Sequence, residues 1–319
     1  MTPDLIDFLK ERMGAFPSPW DDKRLQFLVR PPTLKEVETI PPEYDGLLPY
    51  HKAGWYDQGG IGSCVGWSSS ISMEITNYLL DNIDDDLSAG WIYERSRTWS
   101  GIPESGGDGS FVLGAMKALN HEGINLELDY PTDTVAPYEY GNQTPELMNK
   151  ACNYALDSYW SVPVNTASIK AALYGITHPM PYKMADGSNG KVPLVVALPV
   201  YNSWFKNPNG IVEKPAPGDG LLGGHATIIR GWKNIGGKLY WINTNSWGRR
   251  VGDQGTFYLA EDYPIWEAWL IHNGPRNYQE PNVVNTCRFG NGAAKTMNFF
   301  PWLLGRTGRF FYETPGRSA

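Results

Sequence analysis

Cys64 is the first residue in the chain whose surroundings suggest covalent chemistry. It follows a glycine-containing segment, 59–62, and precedes apolar residues spaced at i, i+4, i+7 and i+8 from Ile71. This spacing predicts a helix that begins at about Cys64, with Ser63 as its N-cap. The partial positive charge of a helix N-terminus favours the thiolate, which is the nucleophilic form. A buried structural cysteine is the alternative that position alone leaves open.

His225 and Asn245 lie at the two open ends of a predicted β-hairpin. His225 begins an apolar run that reaches 232, a glycine-containing turn follows at 233–238, and the chain then returns to Asn245. In an antiparallel hairpin the residue numbers of every opposed pair add up to the same value. For His225 and Asn245 this value is 470, so the chain would fold back at residue 235, within one residue of register. The asparagine carbonyl could hold one imidazole nitrogen while the other faces a thiol. An incidental His and Asn at a hairpin end is the alternative.

Three sequence blocks around these residues resemble, in order and separation, the motifs of papain-like cysteine peptidases. The blocks are Asp57-Gln58-Gly59-Gly60-Ile61-Gly62-Ser63-Cys64, Gly223-Gly224-His225-Ala226, and Asn245-Ser246-Trp247-Gly248 followed by Gly252-Asp253-Gln254-Gly255. On these motifs the chain is identified as a member of the C1 peptidase family from about residue 42 to about 271. Segments 30–35, 88–95 and 114–131 are most similar to its bacterial and phage branch.

The resemblance implies a role for each residue of the motifs. Cys64 would attack the substrate carbonyl, His225 would hold the thiolate as an ion pair and later protonate the leaving amine, and Asn245 would orient His225. Gln58 would donate its side-chain amide to the oxyanion, with the backbone N–H of Cys64 as the second donor. Trp247 would cover the hydrogen bond between His225 and Asn245.

The same resemblance implies a substrate-binding pair, and it also has departures. Gly106 and Gly107 resemble the glycine pair that hydrogen-bonds the substrate backbone. Ile61 stands where the family often has a disulfide cysteine, and Val65 replaces the usual tryptophan. Residues 1–41 are too short for the family's helical pro-segment, so we expect an N-terminal strap and no classical propeptide inhibition.

The order of the predicted elements indicates an α+β fold. Helices are predicted at 64–79, 88–99, 110–122 and 145–157, and strands at 192–200, 226–232, 239–243 and 256–259. The resemblance implies a helical left subdomain and a β-barrel-like right subdomain with the active-site cleft between them. The expected organisation is a strap (1–41), a papain-like peptidase domain (42–274) and a basic aromatic extension (275–319).

Composition restricts the classes of function. Three cysteines in 319 residues argue against a disulfide scaffold, and no cysteine and histidine spacing suggests a metal, so no metal or cofactor is expected. A net charge of −7 argues against nucleic acid as a partner. With no long apolar run and no secretory signal, the expected location is cytoplasmic and not in a membrane, or virion-associated if the origin is a phage.

Two alternatives to a hydrolytic peptidase acting on peptide or protein substrates stay open. Residues 275–319 carry six basic and two acidic side chains and are rich in aromatics, which suits docking to a larger assembly such as a phage virion. A papain-like fold that serves as a structural component would explain this extension. An acyl-transfer enzyme on the same scaffold is the other alternative, because it shares the acyl-thioester intermediate.

Overall fold

Helices dominate the first half of the chain and strands dominate the second, as an α+β fold requires. The computed structural model describes residues 10, 12–19, 28–46, 56–179, 189–206, 209–273, 288–289 and 293–294. The helices are α1 (Leu34–Val37), α2 (Cys64–Asp81), α3 (Ala89–Trp99), α4 (Val112–His121), α5 (Pro145–Ala151) and α6 (Thr166–Leu173). The strands are β1 (Ala15–Phe16), β2 (Tyr44–Asp45), β3 (Ser110–Phe111), β4 (Ser158–Val162), β5 (Leu194–Tyr201), β6 (Ile211–Val212), β7 (Leu221–Ile235), β8 (Lys238–Thr244), β9 (Thr256–Ala260), β10 (Glu267–His272), β11 (Arg288–Phe289) and β12 (Ala293–Ala294).

The predicted helices are present, with shifts at their ends. α2 begins at Cys64, and Ser63 occupies the N-cap position without a side-chain capping bond. The side chain of Ser88 caps α3 by accepting from the N–H of Trp91. The third helix begins at Val112, because the two residues before it form β3 along the cleft. α6 and β10 have no counterpart among the predicted elements.

The main sheet is open rather than barrel-like. Its strand order is β4-β10-β5-β7-β8-β9-β6, with β2 added to β7. The two end strands, β4 and β6, pair with one neighbour each within the described part of the chain, and β6 has only two residues. Closing a barrel requires a continuous ladder between the end strands, so the expectation of a β-barrel-like right subdomain is wrong.

The predicted hairpin forms, but its register differs from the prediction. β7 pairs with β8 through Ile228 and Thr244, which sum to 472, and through Ile235 and Lys238, which sum to 473. The turn between the strands is Gly236–Gly237, with φ of 58° and 83°, as a two-residue type I′ turn requires. The fold-back therefore lies beyond residue 235, and side chains rather than backbone register bring His225 and Asn245 together.

Strand β5 explains how the two halves join. Val195 and Ala197 belong to the hydrophobic cluster under α2, α3 and α4, whereas Val196 and Leu198 belong to the cluster on the other side of the sheet. Alternate side chains of a strand point to opposite faces, so a strand buried on both faces has a continuous apolar sequence. Helices α2, α3 and α4 therefore pack on one face of the sheet and α6 packs on the other, and the cleft opens where the first face meets α2.

The two cysteines within the described residues differ in their state. Cys64 is free and buried. Cys152 is disulfide-bonded, so the small number of cysteines does not exclude a disulfide in this chain. Most of the extension at 275–319 lies outside the described residues. Within the described residues, no helix combines the length and hydropathy that a membrane span needs.

Candidate active site

The Cys64 sulfur lies where the head of α2 meets strand β7. Its Sγ accepts a hydrogen bond from the backbone N–H of Ala226, the residue after His225, at 3.4 Å. Cys64 and His225 are both fully buried. The two residues are 161 positions apart in the chain, and only the packing of α2 on the sheet brings them together.

Asn245 and Trp247 hold the His225 ring. Its Nε2 is 2.8 Å from Asn245 Oδ1, and the indole of Trp247 stacks on it with ring centroids 4.2 Å apart. The other ring nitrogen, Nδ1, is buried and has no hydrogen-bond partner among the described residues. An imidazole held in this way keeps Nδ1 available for a proton.

Ser246 connects Asn245 to Gln58. Its backbone N–H donates to Asn245 Oδ1 at 2.7 Å, and its hydroxyl donates to Gln58 Oε1 at 2.6 Å. The backbone N–H of Gln58 donates in turn to the Ser246 carbonyl at 2.9 Å. These bonds fix the Gln58 amide so that Nε2 is the end available as a donor. Sequence reasoning included Ser246 in the asparagine motif but assigned it no role.

Residues 12–18 of the N-terminal strap run through the cleft, and from here on the strap means these seven residues. Gln58 Nε2 donates to the carbonyl of Arg12 at 2.7 Å and to that of Ile61 at 2.7 Å. The Arg12 guanidinium pairs with Asp57 at 3.1 Å and donates to the carbonyl of Trp247 at 3.4 Å. A carbonyl of the chain itself therefore already occupies the donor that the resemblance assigns to the oxyanion.

One glycine in the strap and one on the sheet wall allow the strap backbone to lie close to the cleft. A Cβ on Gly14 would lie 1.7 Å from the carbonyl oxygen of Gly62, and a Cβ on Gly224 would lie 2.0 Å from the carbonyl oxygen of Ala15. Such distances exclude any side chain at these positions unless the backbone moves. Gly224, which precedes His225, and Gly14 of the strap thus permit the close approach of the two backbones.

The far end of the strap follows the edge of the cleft. β1 pairs in parallel with β3, and the backbone N–H of Ser110 donates to the carbonyl of Gly14 at 2.7 Å. Beyond this, the backbone N–H and hydroxyl of Ser18 donate to Glu267 Oε1 at 3.1 and 2.8 Å. The strap therefore contacts both walls along the length of the cleft.

The sequence pattern described as "Papain family cysteine protease" matches residues 51–268, more than half of the chain. The chain belongs to this family. Its match includes Gln58, Cys64, His225 and Asn245, and it ends within β10.

Individual relatives agree with the family assignment. The chain is 29% identical over 179 residues to the gut-specific cysteine proteinase of Caenorhabditis elegans, covering 50% of this chain and 49% of that protein. It is 27% identical over 224 residues to the low-temperature-induced cysteine proteinase of Solanum lycopersicum, covering 69% and 57%. Among solved structures, xylellain, a cysteine protease from Xylella fastidiosa, is 25% identical with a TM-score of 0.67, covering 83% of this chain and 97% of that one. The chain thus spans about half the length of the curated relatives it matches.

Burial keeps the two reactive groups of this papain-family chain neutral. Burial raises the pKa of the Cys64 thiol to about 11, against the opposing effect of N–H groups that include those of Ala226 and Gly14. Burial also lowers the pKa of His225 to about 4, although the bond to Asn245 acts in the opposite direction and the positive charge of Arg12 acts in the same one. With the strap in place, thiol and imidazole are therefore both uncharged near neutral pH.

Gly106 and Gly107 lie on the loop before β3. Their carbonyls accept hydrogen bonds from the Arg97 guanidinium at 3.0 and 2.7 Å. The strap pairs instead with Ser110 and Phe111, which form strand β3 after this loop. The assignment of Gly106 and Gly107 to substrate binding stays a prediction, and sequence reasoning assigned no role to Arg97 or Ser110.

Proposed function

We propose that this chain is a cysteine endopeptidase that hydrolyses peptide bonds through an acyl-thioester on Cys64. The observation that carries the proposal is the His225 ring, which Asn245 holds through Nε2 while Nδ1 has no partner among the described residues, next to Ala226, whose backbone N–H donates to the Cys64 sulfur. A nucleophile, a base and an orienting group in this order are the components of covalent catalysis.

The proposed reaction begins with transfer of the Cys64 proton to Nδ1 of His225. The thiolate adds to the substrate carbonyl carbon, and the oxyanion that forms accepts hydrogen bonds from Gln58 Nε2 and the Cys64 backbone N–H. His225 then gives its proton to the leaving amine, which leaves an acyl-thioester. Water activated by His225 hydrolyses this ester and restores the thiol. The bond from Gln58 Nε2 to the Arg12 carbonyl supports this role, because it already binds a peptide oxygen.

The strap must leave the cleft before a substrate can bind in the proposed way. It lies over Cys64, occupies the Gln58 donor and takes the backbone donor of Ser110. The full chain should therefore be latent, although residues 1–41 are too short for the family's helical pro-segment. Gly14→Ala is the change that displaces the strap most directly, since a Cβ there collides with the Gly62 carbonyl.

The test is a fluorogenic peptide library, applied to the full chain with Gly14→Ala and to the same chain with Cys64→Ala added. Cleavage in the first and none in the second supports a peptidase with Cys64 as nucleophile. Labelling by the epoxide E-64 at neutral pH should be confined to Cys64. Equal cleavage by both chains, or labelling elsewhere only, would contradict the proposal. Adding an amine and analysing the products separates hydrolysis from acyl transfer.

The finer assignments of origin and partner are also proposals. Similarity to a protease of Xylella fastidiosa supports the bacterial and phage branch. A docking role in a larger assembly depends on residues 275–319, of which only the β11 and β12 strand pair lies within the described residues. Removal of residues 275–319 should leave cleavage intact if this extension serves docking alone.

A further inference from the structure

Three polar side chains on one face of α3 hold the loop that forms one edge of the cleft. Tyr93, Ser96 and Arg97 are spaced at i, i+3 and i+4, so they lie side by side on the helix. All three are buried. A buried polar face on a helix normally has a specific set of partners, and here the partners are the residues at 103–110.

Arg97 binds the loop through carbonyl oxygens. Its Nη1 donates to Gly107 at 2.7 Å and Gly109 at 2.8 Å, and its Nη2 donates to Pro103 at 2.7 Å and Gly106 at 3.0 Å. The planar guanidinium fork can satisfy several acceptors at once, which a lysine ammonium of the same charge cannot do in this geometry. The carbonyls of four loop residues therefore all point toward the Arg97 guanidinium.

Tyr93 and Ser96 add hydrogen bonds to Gly109 and Ser110. The Gly109 N–H donates to the Tyr93 hydroxyl at 3.1 Å, and that hydroxyl donates to Asp108 Oδ1 at 3.1 Å. The hydroxyls of Ser96 and Ser110 are 2.5 Å apart. Both backbone groups of Gly109 are thus bound to α3, while the next N–H, that of Ser110, points into the cleft.

We propose that Arg97 is a positioning residue that sets the peptide-binding edge of the cleft. The strap shows what this edge does, because the Ser110 N–H donates to the carbonyl of Gly14. The inference rests on the proposed function in one respect, namely that a substrate backbone takes the place of the strap. Gly107 and Gly109 have φ of 40° and 108°, and glycine loses much conformational entropy when it is fixed. Without the four Arg97 bonds, the loop would sample conformations in which the Ser110 N–H no longer meets a peptide.

The first experiment uses the full chain with its native strap. Arg97→Lys keeps the positive charge but removes the planar guanidinium group. Arg95→Lys is the matched control, because Arg95 binds Glu122 and Gln143 away from the loop. Iodoacetamide should alkylate Cys64 about tenfold faster in Arg97→Lys, because the strap has lost its pairing edge. Arg95→Lys should stay within about twofold of the original chain. A wild-type rate in Arg97→Lys would overturn the inference.

The second experiment adds each lysine variant to Gly14→Ala and measures peptide cleavage. Arg97→Lys should raise KM about tenfold with kcat changed less than about threefold, and iodoacetamide should react with Cys64 at the rate of the parent. A merely structural role would lower kcat, alkylation and the folded fraction together, which would overturn the inference. If the Gly14→Ala parent cleaves nothing, the proposed function fails, and the first experiment alone decides the role of Arg97.

Tyr93→Phe serves if Arg97→Lys shows no cooperative thermal transition. It removes the hydroxyl that accepts from Gly109 and leaves the ring in place. Cys64 alkylation in the native-strap chain should then rise about threefold, a smaller change because a single neutral hydrogen bond is lost. An unchanged rate in a folded Tyr93→Phe chain would overturn the inference equally.

Discussion

The two walls of the cleft are built in different ways. On the sheet wall, His225, Asn245 and Trp247 lie on or next to a β-hairpin, and neighbouring side chains and backbone hold them. On the helix wall, the edge consists of the loop at 103–109 and the two-residue strand β3, and side chains of α3 hold it through bonds such as that from Arg97 to Gly109. A β-hairpin therefore holds the residues proposed for the chemistry, and a buried guanidinium holds the loop beside the proposed peptide-binding edge. Changes on the sheet wall should act on kcat and changes on the helix wall on KM.

Cys64→Ala should have the largest effect of any single change. Removal of the nucleophile should lower kcat in the Gly14→Ala chain by a factor of about 10⁴ or more, as loss of the nucleophile does in comparable triads. Steady-state cleavage of a fluorogenic peptide measures it. Loss of less than about tenfold would show that another group performs the attack.

Gln58→Ala should lower kcat by about 10²–10³ in the same background, because one oxyanion donor is lost. The ring geometry of His225 should be preserved, since Asn245 still accepts from the N–H of Ser246. Alkylation of Cys64 by iodoacetamide, which forms no oxyanion, is the control and should not fall. A parallel fall in alkylation would mean that Gln58 supports the site rather than the transition state.

Gly14→Ala should shift the pH dependence of Cys64 reactivity. With the strap in place, burial raises the pKa of the thiol to about 11 and lowers that of His225 to about 4. Displacing the strap admits water, so the pKa of the thiol should fall and that of the imidazole should rise. The thiolate then forms at lower pH, and alkylation at pH 7 should be about tenfold faster or more. Identical pH profiles for the two chains would show that the strap does not control ionisation.

Glu94→Gln should have the smallest effect on catalysis and act on stability instead. Glu94 lies on α3 next to Arg95, is buried, and accepts hydrogen bonds from Tyr138, Tyr130 and the N–H of Gly141. The glutamine side chain would replace one carboxylate oxygen by an NH₂ group, which is a donor facing the hydroxyl and N–H donors that now bind the carboxylate. The free energy of unfolding should therefore fall by about 2 kcal/mol. Urea denaturation measures the loss. A KM increase as large as that expected for Arg97→Lys would show that the effect is not specific to the face of α3 formed by Tyr93, Ser96 and Arg97.

The sequence predicts the local parts of this site well. The i, i+4 pattern after Cys64 identifies α2, and the glycines at 236–237 make the hairpin recognisable, because both signals depend on residues close in the chain. The register error of the hairpin has a local cause too, since the two-residue turn at 236–237 moves the fold-back by about one residue. Tyr93, Ser96 and Arg97 have helical spacing in the sequence, but no neighbouring residue indicates which groups their side chains bind.

The sequence by itself determined which residues could react and that helices would precede strands, because motif spacing and hydrophobic period are written along the chain. Only the tertiary structure decided that the sheet stays open, that Arg97 binds the carbonyls of the loop at 103–109, and that residues 12–18 lie in the cleft. The bond from Gln58 to the Arg12 carbonyl spans 46 positions and that from Ser18 to Glu267 spans 249. Contacts of such separation depend on how the packed layers meet, and no local pattern encodes them.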